Sequence, residues 1–105
     1  MRIFIWHGYL LHGTGSNEYT RALARTLAGQ GHQVTVFSQD PDAAQIDLGG
    51  AVVVRPSLPG RLPVFVLDRY PDMEPALLGD CSREELDAFV EVNAAALRDH
   101  GPADL

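Results

Sequence analysis

The first 39 residues, MRIFIWHGYLLHGTGSNEYTRALARTLAGQGHQVTVFSQ, restrict the fold more than any other stretch of the chain. Ile3-Phe4-Ile5-Trp6 is an apolar, β-rich run of the length of a buried strand. A glycine-dense loop follows from His7 to Ser16, and then a helical pattern from about Asn17 to Gln30. Gly31 suits the left-handed position after a helix, and Val34-Thr35-Val36-Phe37 reads as a second strand. Strand, glycine loop, helix and strand make one βαβ unit. The loop falls where such a unit presents backbone N–H groups to an anionic ligand.

The helix carries its own signals. Ser16 is expected to accept a hydrogen bond from the first-turn N–H groups, and Glu18 adds negative charge at the positive end of the helix dipole. Tyr19, Leu23 and Leu27 share one face, Ala22, Ala24 and Ala28 allow a close approach to a sheet, and Arg21 and Arg25 take the polar side.

Beyond Gln39 the chain turns polar, with turns at Asp40-Pro41-Asp42 and Gly49-Gly50. Ala51 to Val54 reads as a short buried strand. Ser57 to Pro63 carries Pro59, Gly60 and Pro63 and reads as a loop; Val64 to Leu67 is a strand or an apolar loop. Asp68-Arg69-Tyr70-Pro71-Asp72 is a polar cluster. A last helix starts after Ser82, where Ser82-Arg83-Glu84-Glu85 is a capping box, and Leu86, Phe89, Val90 and Leu97 supply its apolar face. Gly-Pro-Ala-Asp-Leu after a helix commonly introduces the next strand of a doubly wound sheet. The pattern is therefore that of an α/β, Rossmann-like partial domain over residues 1–105: three layers, a mostly parallel sheet, and truncation before the next core strand. An edge left open there invites self-association.

Composition excludes some function classes. Fourteen acidic residues against eight basic ones give a net charge of −6, so neither nucleic acid nor an anionic membrane is expected as the main partner. All eight basic residues are arginine, which suits bidentate recognition of phosphate or carboxylate. The single cysteine, Cys81, rules out an internal disulfide framework or a cysteine-based zinc site within these residues. With no apolar stretch of membrane-spanning length, a reduced, cytoplasmic setting is expected.

The pieces Glu18-Tyr19-Thr20-Arg21-Ala22-Leu23-Ala24-Arg25-Thr26-Leu27-Ala28 and Gly31-His32-Gln33-Val34-Thr35-Val36, set behind an apolar strand and a glycine loop, are similar to the amino-terminal domain of glycosyltransferase family 4. In that family the domain reads roughly Gly-Gly-x-Glu, a helix with Leu-Ala-x-x-Leu, then Gly-His-x-Val-x-Val. The likeness is strongest over residues 1–39. It implies a GT-B enzyme, with two Rossmann-like domains facing across a cleft, that transfers a sugar from a nucleotide-sugar donor to an acceptor hydroxyl with retention and without a required metal or other cofactor. The sequence departs from the family where Gly13-Thr14-Gly15-Ser16 stands for the adjacent glycine pair. The family's donor-binding domain, with its paired glutamates, lies outside these residues, as does the histidine of its catalytic region, so catalytic residues are not assigned.

On this likeness the N–H groups of Gly13, Thr14, Gly15 and Ser16 are expected to face the donor diphosphate; otherwise the loop is a turn needing positive φ before a helix. His7 and His12 flank it as candidates to bond an acceptor or a phosphate, or to act as a base, against the plain alternative of solvated loop histidines. Tyr9 and Asn17 are further acceptor-side candidates, with Tyr9-Leu10-Leu11 either a lip over a ligand or packing under the loop. Asp68, Arg69 and Tyr70 are candidate acceptor contacts at the carboxyl edge of the sheet, or a surface ion pair. No local spacing of histidines and carboxylates suggests a metal. Two other readings stand beside the transferase: a non-catalytic binding or assembly module, and another nucleotide-binding α/β enzyme, flavodoxin-like or, more weakly, NAD-dependent.

Overall fold

The computed structural model describes all residues, 1–105. Strand β1 (Arg2–Trp6), helix α1 (Ser16–Gly29), strand β2 (Gln33–Phe37) and strand β3 (Val52–Val54) come first, followed by β4 (Leu62–Val64), β5 (Pro75–Leu77) and helix α2 (Arg83–His100). The strands form two small parallel sheets, β1-β2-β3 and β4-β5. Contacts divide the chain into two compact units, residues 1–55 with 102–105 and residues 56–101.

In the first unit β1 and β2 pair in register from Arg2 opposite Gln33 to Trp6 opposite Phe37, with α1 as the crossover between them. Parallel neighbours require such a crossover, and the expected βαβ unit forms. α1 ends as its glycines dictate: Gly31 has φ 92°, a conformation that L side chains rarely adopt. Its start differs from expectation. Gly15, at φ 65° and ψ −132°, occupies the N-cap; Ser16 is already helical and its hydroxyl caps nothing. The buried stripe also differs. Tyr19 is 68% exposed, and the helix rests on the sheet through Thr20, Ala24, Leu27 and Ala28, because small side chains let its axis come close.

Ile3, Leu11, Ala24, Val34, Val36, Ala43 and Leu48 form the core of this unit. Leu11 comes from the glycine loop and is wholly buried, so at this position packing under the loop wins over an exposed lip. Burying a leucine contributes about 1.5–3 kcal/mol, enough to seat one side of the loop. The last residues of the chain pair with β1 on the edge away from β2. Leu105 N–H donates to the Arg2 carbonyl at 3.3 Å and Phe4 N–H to the Leu105 carbonyl at 2.8 Å, the bond pair of a parallel ladder across Ile3.

In the second unit Leu62, Pro63, Val64 and Ala76 are buried. The residues read as a loop up to Pro63 include the start of β4, and of the stretch from Val64 to Leu67, read as a strand or an apolar loop, only Val64 is in the strand, leaving Phe65, Val66 and Leu67 exposed. α2 begins with the expected capping box: Ser82 Oγ accepts from Glu85 N–H, and Glu85 accepts from Ser82 N–H. Asn93 is buried as a satisfied amide, its Nδ2 donating to the Phe89 carbonyl at 2.8 Å, while Val90 is 63% exposed and leaves the helix's apolar face narrower than expected. No helix is long and apolar enough to cross a membrane.

Candidate functional site

The glycine loop leaves the carboxyl end of β1 and is stitched to the end of β2. His7 and Gly8 N–H both donate to the Phe37 carbonyl, at 3.0 and 3.1 Å. The Tyr9 carbonyl accepts from the Ser38 hydroxyl at 2.5 Å and from Gln39 N–H at 2.9 Å. The Tyr9 ring packs edge-on to His7, with centroids 6.2 Å apart.

Asp40 is the anchor of the loop. Its carboxylate Oδ2 accepts from the N–H of Leu11 at 2.9 Å, from the N–H of His12 at 3.1 Å and from the His12 ring at Nδ1 at 2.5 Å; Oδ1 accepts from Asp42 N–H at 2.9 Å. Burial works to raise this carboxyl's pKa, but the donors from Leu11, Asp42 and His12 outweigh it and hold the group below its ordinary range. A buried carboxylate with four donors stays charged and costs little. The side chain was legible only as part of a turn, because its partners lie 28 and 29 positions earlier.

The carbonyls of the loop are gathered inward. Arg21, assigned to the polar face of α1, donates to the Leu11 carbonyl and to the Gly13 carbonyl, the latter at 2.9 Å, and Asn17 Nδ2 donates to the His12 carbonyl at 2.6 Å. With the Asn17 amide so oriented, its Oδ1 accepts from His7 Nε2–H at 2.8 Å, and His7 Nδ1 accepts from the Thr20 hydroxyl at 3.3 Å. His7 is thus committed on both nitrogens. His12 is not: Nδ1 is held by Asp40, the side chain is 51% exposed, and Nε2 has no partner in the chain.

The opposite polarity is left open. No acceptor in the chain takes the N–H groups of Gly13, Thr14, Gly15, Ser16, Asn17 or Glu18; the first helical N–H with a partner is Tyr19, on the Gly15 carbonyl at 3.1 Å. All of these residues except the half-buried Asn17 are exposed. Gly13 (φ 88°) and Gly15 (φ 65°) adopt conformations that turn the chain here and that side chains resist. Unpaired amides at the start of a helix carry partial positive charge and suit an anion. A hollow of about 470 Å³ in the same unit is lined by Asp40, Ala51, Val53 and Arg55 among others and by no residue of the glycine loop. Arg55 Nε is 3.4 Å from Gln39 Oε1.

Asp68, Arg69 and Tyr70 belong to the second unit and follow β4, which pairs with β5 rather than joining the β1-β2-β3 sheet. Asp68 Oδ1 accepts from Arg69 N–H at 2.7 Å, and desolvation together with the Asp68 charge raises the Tyr70 phenol. That unit also holds a hollow of about 240 Å³ beside Arg61, Glu85 and Phe89. The Arg61 guanidinium forks onto Glu85 at 2.9 and 2.8 Å, which lowers the Glu85 carboxyl to about 2 and leaves little of the fork for a ligand. No group of three or more His, Cys, Asp or Glu side chains is arranged to hold a metal ion.

Sequence reasoning singled out the glycines, His7, His12 and Asn17, and these stand together around one loop. It missed Asp40, Thr20 and Arg21. The signal for Asp40 was its place just past the second strand, at the carboxyl edge where the loop after the first strand also lies. Comparison with protein-family models, curated proteins and solved structures gives no match to this chain.

Proposed function

We propose that this chain is the amino-terminal, acceptor-side part of a retaining GT-B glycosyltransferase resembling family 4. Its parallel strands and helices belong, on this reading, to a three-layer Rossmann-like domain in a cytoplasmic enzyme. The single observation that carries the reading is the row of unpaired amides from Gly13 to Glu18, behind two positive-φ glycines, at the carboxyl edge of a parallel sheet. The loop binds the donor diphosphate through Gly13, Thr14, Gly15 and Ser16. His12 and Asn17 line its rim, and Tyr9 and His7 form the wall behind it. Donor-base recognition and the catalytic groups come from a second domain that these residues do not contain, so this part alone positions substrates and does not turn them over. No metal takes part.

The parallel rung between Leu105 and Ile3 shows that the free edge of β1 accepts a parallel neighbour, as the central first strand of a Rossmann-like sheet does. The same edge also suits a non-catalytic assembly module, the competing reading. Isothermal titration of the chain with UDP-glucose and GDP-mannose, beside NAD and FMN, separates the three. Heat from a nucleotide sugar supports the transferase, heat from NAD or FMN alone supports another nucleotide enzyme, and no binding at all contradicts both.

A further inference from the structure

His7 and His12 bracket one loop, yet their chemistry is different. Both nitrogens of His7 are engaged within the chain, Nδ1 with the Thr20 hydroxyl and Nε2 with Asn17. His12 has one nitrogen fixed by a buried carboxylate and the other open to solvent. Its own N–H is held by the same Asp40 oxygen and its carbonyl by Asn17 of the first turn of α1, so backbone and ring are anchored together beside that turn.

We propose that His12 and Asp40 form a proton-linked anion contact, in which His12 Nε2 takes up one proton as the diphosphate of a nucleotide sugar binds to the loop. This rests on the reading of the loop as a diphosphate site. The argument is electrostatic. With a neutral ring, the pair presents one uncompensated negative charge directly behind the loop and opposes an anion. With a protonated ring the pair is neutral overall and Nε2–H becomes a donor. Asp40 stays ionised throughout the neutral range, so the change of charge falls on the imidazole. The other charged groups around the loop do not supply the proton. They are the Arg21 guanidinium, which donates to the Leu11 carbonyl, the carboxylates of Glu18 and Asp42, and His7, which is engaged on both nitrogens. Linked uptake makes binding tighter as pH falls, by up to about tenfold in Kd for each pH unit at which the free ring is neutral and the bound ring charged.

The test is isothermal titration of the whole chain with UDP-glucose, whose diphosphate diester has no group titrating near neutrality, from about pH 6 to pH 8 in buffers of different ionisation enthalpy. Wild type is expected to take up close to one proton per ligand at the upper end. His12→Gln is expected to take up none and to lose the pH dependence, and Asp40→Asn to bind with much reduced uptake. Binding without proton uptake, or uptake that persists in His12→Gln, overturns this proposal and leaves the diphosphate site standing. Absence of UDP-glucose and GDP-mannose binding at every pH overturns both.

Discussion

Asp40 Oδ2 accepts the backbone N–H of Leu11 at 2.9 Å, joining the residue just past β2 to the one loop residue that is wholly buried in the core. That bond couples packing to the site. Leu11 fills the core, Asp40 fixes the loop above it, and the amides from Gly13 onward are left facing solvent. Asp40→Ala orphans three backbone donors and is expected to destabilise the chain by about 3 kcal/mol in urea unfolding; Asp40→Asn, which keeps an acceptor, is expected to cost less than half of that.

The same carboxylate sets an acid limit. Its pKa is lowered in the folded state, so its stabilisation is fully present above the ordinary value of 3.8 and is lost as pH falls through the lower folded value. Glu85, lowered from 4.5 to about 2 by Arg61, acts with the same sign. The urea midpoint of wild type is therefore expected to fall steadily below about pH 4, with a shallower fall in Asp40→Asn and in Glu85→Gln. A midpoint equally steep in all three proteins contradicts the assignment.

Two glycines at the end of α1 are expected to respond in opposite directions. Gly29 is helical with open space around it, so Gly29→Ala should stabilise by about 0.5–1 kcal/mol. Gly31 has equal space but φ 92°, so Gly31→Ala should destabilise by about 1 kcal/mol through backbone strain alone. Thermal unfolding of the two variants measures the sign directly.

Much of this arrangement was legible because its determinants are local. The apolar run of β1, the alanine-rich α1, the Gly31 turn and the Ser82 capping box each need only a few neighbouring residues. What was not legible depends on distant partners or on tolerance at an edge. Pro63 lies within β4 because a two-stranded sheet leaves edge positions where a missing N–H costs nothing, and Pro75 opens β5 for the same reason. Ser16 lost the N-cap to Gly15, since the loop needs positive φ immediately before the helix. Asp40 looked like a turn residue because nothing near it in sequence announces Leu11 or His12.

Gly15 links local strain to binding. A side chain there meets no atom within 4 Å, so Gly15→Ala changes only the backbone preference at φ 65° and ψ −132°. It is expected to cost about 1–2 kcal/mol and, by turning the amides of Ser16 and Asn17, to weaken nucleotide-sugar binding by about tenfold.

The most direct test of the central claim is a titration of the ¹⁵N-labelled chain with UDP-glucose or GDP-mannose, followed by amide chemical shifts. The account predicts the largest shifts at Gly13 to Glu18, with smaller ones at His12 and Asn17 side-chain signals. Saturable shifts confined to other residues, or no shifts at Gly13 to Glu18 with either ligand, would contradict it.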